Sequence, residues 1–527
     1  MKECKWIPGL SSLGLLVLIL NGAMLFAAPN SVELIRTIVT SEEKTALETV
    51  NQLSYYTLDS LYQWLSDFND YEEPEKMGVI ALERQISDTL SAPYYYLIPD
   101  SYNPKTPTTL VVWLHGGVSR PEFPEEAGEE ILQHPIGQVC KQNGWLLLFP
   151  LAKIGCLWWD STGMEHIDWL IRDAKRRFNI DDDRVVLTGF SDGGSGSFHF
   201  AMLNPNDFSI LYPLSGCISV GAWAGGMQDY ITNLVNRELF VTNGGNDGLY
   251  PAAKWLPVMM MAVDNGAMLN FTAYDTAGHN YGYLDEEFPF LVERISQASR
   301  PALSPVKYWE TSDLAFNHID WLEITELDTS LSNAVWHQEL NYQMTDDRIT
   351  IGFMADRQWE GEGVRIESVS DDSTSPANQM KMQAGDILIG MQGLEIKSFE
   401  DLTEAKSLVK RGKVATFTLV RQNDTLDFSA EFPPPQKYDI FNYQDPSGAI
   451  RATRCGNTFD VQTSRIKSFR IYLHPEMVRL VQTVVVQVNG DIKFSGLPVV
   501  NKEFMLKNFV SNRDRRLLWV GYIDVIL

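Results

Sequence analysis

The sequence predicts an α/β protein whose main domain is a doubly wound, mostly parallel sheet, followed by smaller β-rich parts. Three observations support this expectation. Apolar strands alternate with helical segments between residues 90 and 300, which is the pattern of a parallel sheet covered by helices. Within this region a Gly-x-Ser-x-Gly segment lies between a strand and a helix. After residue 304, short alternating strand patterns follow one another.

Residues 1–28 have the pattern of an export signal. Lys2 and Lys5 precede an apolar run at 10–20, and Ala27 and Ala28 are small enough for a cleavage site. The uncharged stretch 6–28 is also long enough to span a bilayer if it is retained. A cleaved leader, which leaves no stable membrane span, and a retained anchor therefore both stay open. In either case we expect an exported protein, whether periplasmic, secreted or on the cell surface.

Charge and cysteine content exclude several classes of function. The formal net charge is −25, whereas a nucleic-acid partner would require a basic surface. After the leader the cysteines are Cys140, Cys156, Cys217 and Cys455, and no Cys-x-x-Cys motif occurs. The sequence therefore predicts no zinc site and no redox pair. A single disulfide remains open, with no pairing favoured.

The chain before the sheet is expected to be helical. Apolar residues recur at helical spacing over 30–88, with acidic residues between them, so we interpret this segment as a prefix packed on the next domain. Buried strands are then predicted within a catalytic domain at 90–300, at positions 94–98, 110–114, 145–149, 185–188, 210–214, 239–242 and 269–274. In a parallel sheet of this kind, the site lies beyond the carboxyl ends of the strands.

Ser191 is the candidate nucleophile. It lies in Gly189-Phe-Ser-Asp-Gly193, directly after four strand-forming residues and before a helical run. Strand, Gly-x-Ser-x-Gly and helix in this order resemble the nucleophile elbow of the α/β-hydrolases. A sharp turn there requires small residues two positions before and after the serine. The turn also directs the amide of Asp192 at the reacting carbonyl.

A second glycine-rich segment follows the strand at 110–114. His115-Gly116-Gly117 resembles the oxyanion loop of esterases, so Gly117 is the predicted partner of Asp192 in the oxyanion hole, with Val118 as an additional donor left open. We interpret His115 as a structural histidine that braces this loop.

The general base and its acid are found by their order in the chain. In this fold the acid and then the histidine follow the serine. Only His199 and His279 follow Ser191 within the block, and His199 lies too far along the helix that leaves the elbow. His279 is therefore the predicted base. Asp247, after the strand at 239–242, is the predicted acid, with Asp275 as the second choice.

These motifs together carry a wider resemblance. Gly-Gly, Gly-Phe-Ser-Asp-Gly-Gly, Asn-Asp-Gly-Leu-Tyr-Pro and Gly-His resemble the secreted esterase and peptidase-like branch of the α/β-hydrolases, which includes feruloyl esterases, polyhydroxybutyrate depolymerases and dienelactone hydrolases. The resemblance covers residues 92–300 and implies a serine hydrolase without metal or cofactor. Three tryptophans are candidate walls of a substrate pocket, with a core role equally open: Trp158, Trp159 and Trp223.

Residues 346–432 resemble a PDZ domain of the type appended to bacterial periplasmic serine proteases. The carboxylate-binding loop would be Ile351-Gly352-Phe353-Met354, and the most diagnostic segment is 384–393. The resemblance implies a groove that binds a peptide or a protein C-terminus as an added strand. A spacer that binds nothing stays open.

The β-rich segments on either side, 304–340 and 437–527, are predicted to form one sandwich-like domain interrupted by the PDZ-like part. Two separate small elements are the alternative. Taken together, the sequence predicts an exported serine esterase with a Ser191–His279–Asp247 triad. A serine peptidase, and a binding protein without catalysis, remain the alternatives.

Overall fold

The computed structural model describes residues 31–124, 127–356 and 358–527. The predicted leader at 1–28 therefore lies outside the described residues. The chain divides into two compact units: one contains the described residues up to Leu340 together with Phe441–Leu527, and the other is Asn341–Ile440. Within the described ranges, every helix is too short or too polar to cross a bilayer.

The first unit begins with three helices, α1 (Ser31–Thr40), α2 (Glu43–Val50) and α3 (Leu58–Ser66). Their apolar faces share a core with Phe509 and Val510 from near the end of the chain. The helical prediction for 30–88 is wrong over its last part, because Gly78–Ser87 is a strand, β1. This strand pairs antiparallel with the next one, and the two-residue alternation of its burial follows from having one covered face.

An eight-stranded sheet forms the centre of this unit. Its order is β1-β2-β4-β3-β5-β6-β7-β8. The pairs β1–β2 and β2–β4 are antiparallel, and the other neighbours are parallel, in agreement with a mostly parallel sheet. After β1 the strands are β2 (Leu90–Ile98), β3 (Thr108–Leu114), β4 (Leu146–Pro150), β5 (Ile180–Phe190), β6 (Ile210–Leu214), β7 (Glu238–Gly244) and β8 (Leu269–Tyr274).

Helices connect these strands. They are α4 (Ala127–Gln133), α5 (Pro135–Asn143), α6 (Ser161–Arg177), α7 (Asp192–Leu203), α8 (Val220–Ala224), α9 (Ala252–Asp264) and α10 (Leu284–Gln297). In α6, the Asp160 side chain caps the first turn by accepting from the amide of Gly163 at 2.7 Å. The helix buries Ile167, Leu170 and Ile171, as the helical spacing of apolar residues predicts.

Three strands follow before the chain enters the second unit: β9 (Val306–Thr311), β10 (His318–Ile319) and β11 (Leu322–Leu327). The second unit then contains β12 (Gln343–Asp346), β13 (Phe353–Ala355), β14 (Val364–Val369), α11 (Pro376–Gln379), β15 (Ile387–Met391), β16 (Leu394–Glu395), α12 (Phe399–Ser407), β17 (Val414–Arg421), β18 (Asp424–Glu431) and β19 (Gln436–Asp439). Its sheet has the order β13-β14-β15-β17-β18, with β16 beside β15. Leu402 and Ala405 of α12 share its core with Val364, Leu388 and Phe417.

The chain returns to the first unit with β20 (Gly448–Cys455), β21 (Thr458–Ser464), β22 (Ile466–Leu473), β23 (Val484–Val488), β24 (Asp491–Gly496), α13 (Lys502–Asn512) and β25 (Gly521–Ile526). These strands pair with those before the second unit in two sheets, β24-β23-β21-β20-β9 and β10-β11-β22-β25. Residues of both sheets share one core. Because both sheets lie in the same compact unit as the eight-stranded sheet, their standing as a separate domain stays a prediction.

Buried ion pairs connect parts of the first unit that are distant in sequence. Arg237 donates to both oxygens of the Asp320 carboxylate, at 2.9 and 2.5 Å. Asp514 lies 2.6 Å from Arg300 and 3.6 Å from Lys175. A buried charge is unfavourable unless it is paired. These contacts therefore favour the packing in which Asp320 and Asp514 lie against residues of the α/β part.

Candidate active site

Ser191 lies at the sharp turn between β5 and α7. Its backbone has φ 59° and ψ −116°, a strained conformation for a residue with a side chain. The Ser191 amide donates to the carbonyl of Leu214 at 3.0 Å, and its carbonyl accepts from the amide of Ser195 at 2.9 Å. These bonds hold the turn, and the side chain is presented beyond the carboxyl end of β5.

Two glycines around the serine have no room for a side chain. A Cβ at Gly189 would lie 2.5 Å from the carbonyl oxygen of Leu114, and a Cβ at Gly193 would lie 1.8 Å from the same atom. The motif therefore has a steric cause, because the turn packs directly on the end of β3. This agrees with the reason given for the spacing from sequence.

The structure brings the predicted nucleophile, base and acid together. His279 Nε2 lies 2.8 Å from Ser191 Oγ, and His279 Nδ1 lies 2.8 Å from Asp247 Oδ2. A carboxylate only accepts hydrogen bonds, so Nδ1 carries the proton and Nε2 is free to accept from the serine. The alternative acid, Asp275, is exposed, and it is Asp247 that contacts His279.

Asp247 is held as an anion by three groups. Burial alone would raise its pKa, but the hydrogen bond from His279 and those from the amides of Tyr250 and Leu249 outweigh burial and lower the pKa. Both amides donate to Oδ1 at 2.8 Å. One carboxylate oxygen thus fixes the side chain to its own turn, and the other orients the imidazole.

The segment after β3 lies beside the serine. A Cβ at Gly116 would be 2.9 Å from Ser191 Cβ, so the backbone approaches the nucleophile closely. The amide of Val118, left open as a donor, instead donates to the Asp192 carboxylate at 2.9 Å. Gly117 has φ +67°, and its amide has no hydrogen-bond partner within the described part of the chain. The Asp192 amide is at the first turn of α7, where helix donors lack internal acceptors.

His115 supports this loop rather than acting on a substrate. Its Nε2 accepts from the amide of Ala152 at 3.0 Å, so Nδ1 carries the proton and donates to the carbonyl of Gly116 at 2.8 Å. Burial lowers the pKa of His115 to about 4. A neutral imidazole therefore braces the oxyanion loop.

A cavity of about 490 Å³ opens beside Ser191 and His279. Its wall is largely apolar, and besides histidines it contains one cationic and one anionic side chain, Arg120 and Glu130. The apolar and aromatic lining consists of Pro124, Ile131, Phe149, Leu151, Phe190 and Tyr281. Phe190 and Tyr281 are close in sequence to the serine and the histidine, and that proximity is the signal by which they could have been found.

The predicted tryptophan wall is not part of this cavity. Trp158 and Trp159 are buried, and Trp158 Nε1 donates to the carbonyl of His115 at 2.9 Å. Trp223 on α8 is 52% exposed, and it too is absent from the lining of the cavity. Trp158 and Trp159 therefore have the core role that was the alternative, because the chain after β4 folds beneath the oxyanion loop.

His199, which the sequence argument set aside, lies elsewhere in the fold. It is buried on α7, and its Nδ1 lies 2.7 Å from Asp229 Oδ1. Burial raises the pKa of Asp229, and His199 opposes that effect. The pair is separate from the serine, as its position on the helix predicts.

In the second unit, the predicted carboxylate-binding loop borders a cavity of about 700 Å³. Ile351 is buried, whereas Met354 is exposed, and Leu402 and Lys406 of α12 also line the cavity. Gly352 has φ +96°, and a Cβ there would lie 2.4 Å from Ser375. The strand that follows, Phe353 to Ala355, is at the end of the sheet order and pairs on one side with β14.

Comparisons with known proteins cover only part of the chain. No family model matches it. The chain is 29% identical over 128 residues to a bifunctional acetylxylan esterase/xylanase of Neocallimastix patriciarum; the match covers 24% of this chain and 18% of that protein. The chain thus spans less than a fifth of the length of that relative.

Similar solved structures also match less than half of the chain. A thermostable esterase is 20% identical, with 42% of this chain and 63% of that chain covered and a TM-score of 0.34. A fluorophosphonate-binding serine hydrolase of Staphylococcus aureus is 15% identical, with 41% and 98% covered and a TM-score of 0.34. An acylaminoacyl peptidase of Pyrococcus horikoshii is 12% identical, with 43% and 42% covered and a TM-score of 0.35.

Proposed function

We propose that this chain is an exported serine hydrolase that cleaves carboxylic esters through an acyl-enzyme. The observation that supports it most is the continuous Ser191–His279–Asp247 relay, with both contacts at 2.8 Å. The relay borders a cavity with a largely apolar wall. The elbow, the loop after β3 and the order of the three residues are those of α/β-hydrolases.

The reaction follows from this geometry. Ser191 Oγ attacks the ester carbonyl while His279 Nε2 accepts its proton. Asp247 keeps the proton of His279 on Nδ1 and stabilises the imidazolium that forms. The amides of Gly117 and Asp192 donate to the oxyanion. His279 then protonates the leaving alcohol, and water, activated by the same imidazole, releases the acid and regenerates the serine.

Esters are proposed ahead of peptides for two reasons. An apolar cavity suits an acyl or aryl group. The partial similarity to an acetylxylan esterase/xylanase also favours ester chemistry. No metal or cofactor enters any step of this proposal.

The test is covalent labelling combined with turnover. A fluorophosphonate probe should label the purified protein, and Ser191→Ala should abolish the label. Ser195→Ala, a neighbouring serine on α7 whose hydroxyl is bonded to the backbone, is the matched control and should still be labelled. Absence of labelling would favour the binding protein without catalysis, and faster turnover of peptide amides than of nitrophenyl esters would favour the peptidase.

We propose in addition that the second unit binds peptides as a PDZ domain does. The unpaired edge of β13 and the cavity between the 351–354 loop and α12 support this reading. A peptide would add to β13, and amides of the loop Ile351-Gly352-Phe353-Met354 would hold its terminal carboxylate. Fluorescence anisotropy with a peptide library should detect binding of free C-termini and not of amidated ones; equal binding of both forms would contradict it.

Export is the remaining part of the proposal. It depends on the leader at 1–28, and cell fractionation of the full chain and of a chain lacking these residues tests it. Export of the full chain and cytoplasmic retention of the shortened chain are expected. Retention of both would overturn this part.

A further inference from the structure

Arg120 lies in the wall of the catalytic cavity, at the end of the oxyanion loop. Its Nε donates to the carbonyl of Gly117 at 2.6 Å. Its own amide donates to the carbonyl of Val118 at 2.8 Å, and its carbonyl accepts from Ile154 at 2.9 Å. The half-buried guanidinium therefore lies beside Gly117, the proposed oxyanion donor. Its Nη2 is 2.8 Å from the position that a Cβ on Gly117 would take.

This guanidinium has no carboxylate within ion-pair distance in the described part of the chain, whereas some buried arginines there are paired. Arg237 pairs with Asp320, and Arg300 with Asp514. A guanidinium carries five N–H donors in a planar fork, and the bond to Gly117 uses one of them. The remaining donors border the cavity, where they can bind an anionic group of a substrate.

The surrounding charges also favour Arg120 as the position where an anion would bind in this cavity. With a net charge of −25, the protein as a whole repels anions. Lys153, whose neighbour Ile154 is bonded to Arg120, lies 3.6 Å from Glu122 and is not part of the cavity lining. Glu130, the carboxylate in the wall, is exposed and would repel an anion at its own position. Arg120 is thus the place in this cavity where an anionic group is favoured.

We propose that Arg120 is a specificity-determining residue, and that the preferred substrates are esters that carry a carboxylate near the scissile bond. The proposal rests on the serine hydrolase function proposed above. Guanidinium and carboxylate form a charge-assisted, bidentate pair, and the apolar wall accommodates the carbon chain between the two groups. The carboxylate lies either on the acyl part or on the alcohol part of the ester.

The bond from Arg120 to the Gly117 carbonyl suggests a competing role, in which the side chain merely braces the oxyanion loop. The two roles differ in what they affect. A brace acts on every ester to the same extent, whereas an anion site acts on the ratio of kcat/KM between charged and neutral esters of the same shape.

The experiment measures this ratio for two matched pairs. Mono-4-nitrophenyl glutarate against 4-nitrophenyl valerate places the carboxylate on the acyl part, and 4-acetoxybenzoate against its methyl ester places it on the alcohol part. The wild-type protein should prefer the charged member of one pair. Arg120→Gln should lower that preference by about tenfold to a hundredfold, the range for a hydrogen bond to a charged group, and Arg120→Lys should restore part of it.

Two further variants serve as controls. Lys153→Gln removes a nearby cation outside the cavity lining and should leave the ratio unchanged, and Glu130→Gln should raise it. A wild-type ratio near one for both pairs, or an equal loss for both members in Arg120→Gln, would overturn the inference while neutral esters are still hydrolysed. If no ester is hydrolysed and no fluorophosphonate label appears, the proposed function itself fails, and this inference with it.

Discussion

Replacement of Asp247 by asparagine tests the proposed relay at its most specific point. Oδ1 accepts from two backbone amides, those of Leu249 and Tyr250. An asparagine NH₂ group cannot accept, so the amide oxygen must take the place of Oδ1. The NH₂ group then takes the place of Oδ2 and faces His279.

This substitution reverses the proton arrangement of the histidine. With a donor opposite it, Nδ1 must accept, and the proton moves to Nε2, the nitrogen that faces Ser191. The base is then in the wrong tautomer, and loss of the correct one lowers kcat by about ten-thousandfold in serine hydrolases. At 1.36 kcal/mol for each factor of ten, this corresponds to about 5 kcal/mol of transition-state stabilisation.

The assay is ester turnover alongside thermal unfolding. Because the two backbone bonds are retained, Asp247→Asn should unfold within about 1 kcal/mol of the wild-type protein. Fluorophosphonate labelling should slow in parallel with turnover. Turnover within tenfold of wild type, in a protein of unchanged stability, would refute the assigned role of Asp247.

Three further predictions concern stability. Gly193→Ala should unfold at a much lower temperature than wild type, because its Cβ would lie 1.8 Å from a carbonyl oxygen of β3. Asp514→Asn should lose about 3–5 kcal/mol in urea denaturation, since it breaks the buried pair with Arg300 at 2.6 Å and leaves that guanidinium the longer contact with Asp183 at 3.3 Å. Burial, aided by a nearby carboxylate, raises the pKa of Asp168 to about 7. A carboxyl group whose pKa is raised in the folded protein lowers stability as pH rises from its unfolded pKa of about 4 to its folded pKa, so the stability of Asp168→Asn should rise relative to wild type between about pH 4 and about pH 7.

Each of these predictions has its own control. Gly248 has nothing within 4 Å of an added Cβ, so Gly248→Ala should unfold near the wild-type temperature, and equal effects of the two glycine variants would contradict the steric argument. Glu503→Gln removes an exposed helical pair, and its urea denaturation midpoint should stay near that of the wild-type protein because solvent screens such pairs; a loss comparable to that of Asp514→Asn would undermine the case for Asp514. For Asp168, a stability difference independent of pH would contradict the raised pKa.

Much of the candidate site was readable from sequence, because it depends on local rules. The glycines around Ser191 reflect a steric requirement of a single turn, and that requirement appears directly as residue spacing. Asp247 and His279 follow separate strands, yet parallel strands place their carboxyl ends at one edge. The order of three residues in the chain was therefore enough to predict a convergence that the structure displays at 2.8 Å.

The parts that sequence left open depend on contacts between distant segments. Trp158 and Trp159 are aromatic and could have lined a substrate cavity. Whether an aromatic ring faces a cavity or a core depends on which residues pack over it, and here both rings are buried. From sequence alone, the amide of Val118 was a possible oxyanion donor. In the structure it donates to the Asp192 side chain instead. Gly78–Ser87 forms a strand because its backbone pairs antiparallel with β2.

The sequence by itself determined the turn at the serine, the succession of strands and the identities of the three side chains of the proposed relay, since each follows from steric, periodic and chain-order rules. Only the tertiary structure decided the wall of the cavity, the position of Arg120 within it, and the buried pairs of Arg237 and Asp514. Burial and charge pairing depend on which residues are close in three dimensions, not on their positions along the chain. They become defined only when residues hundreds of positions apart exclude water together.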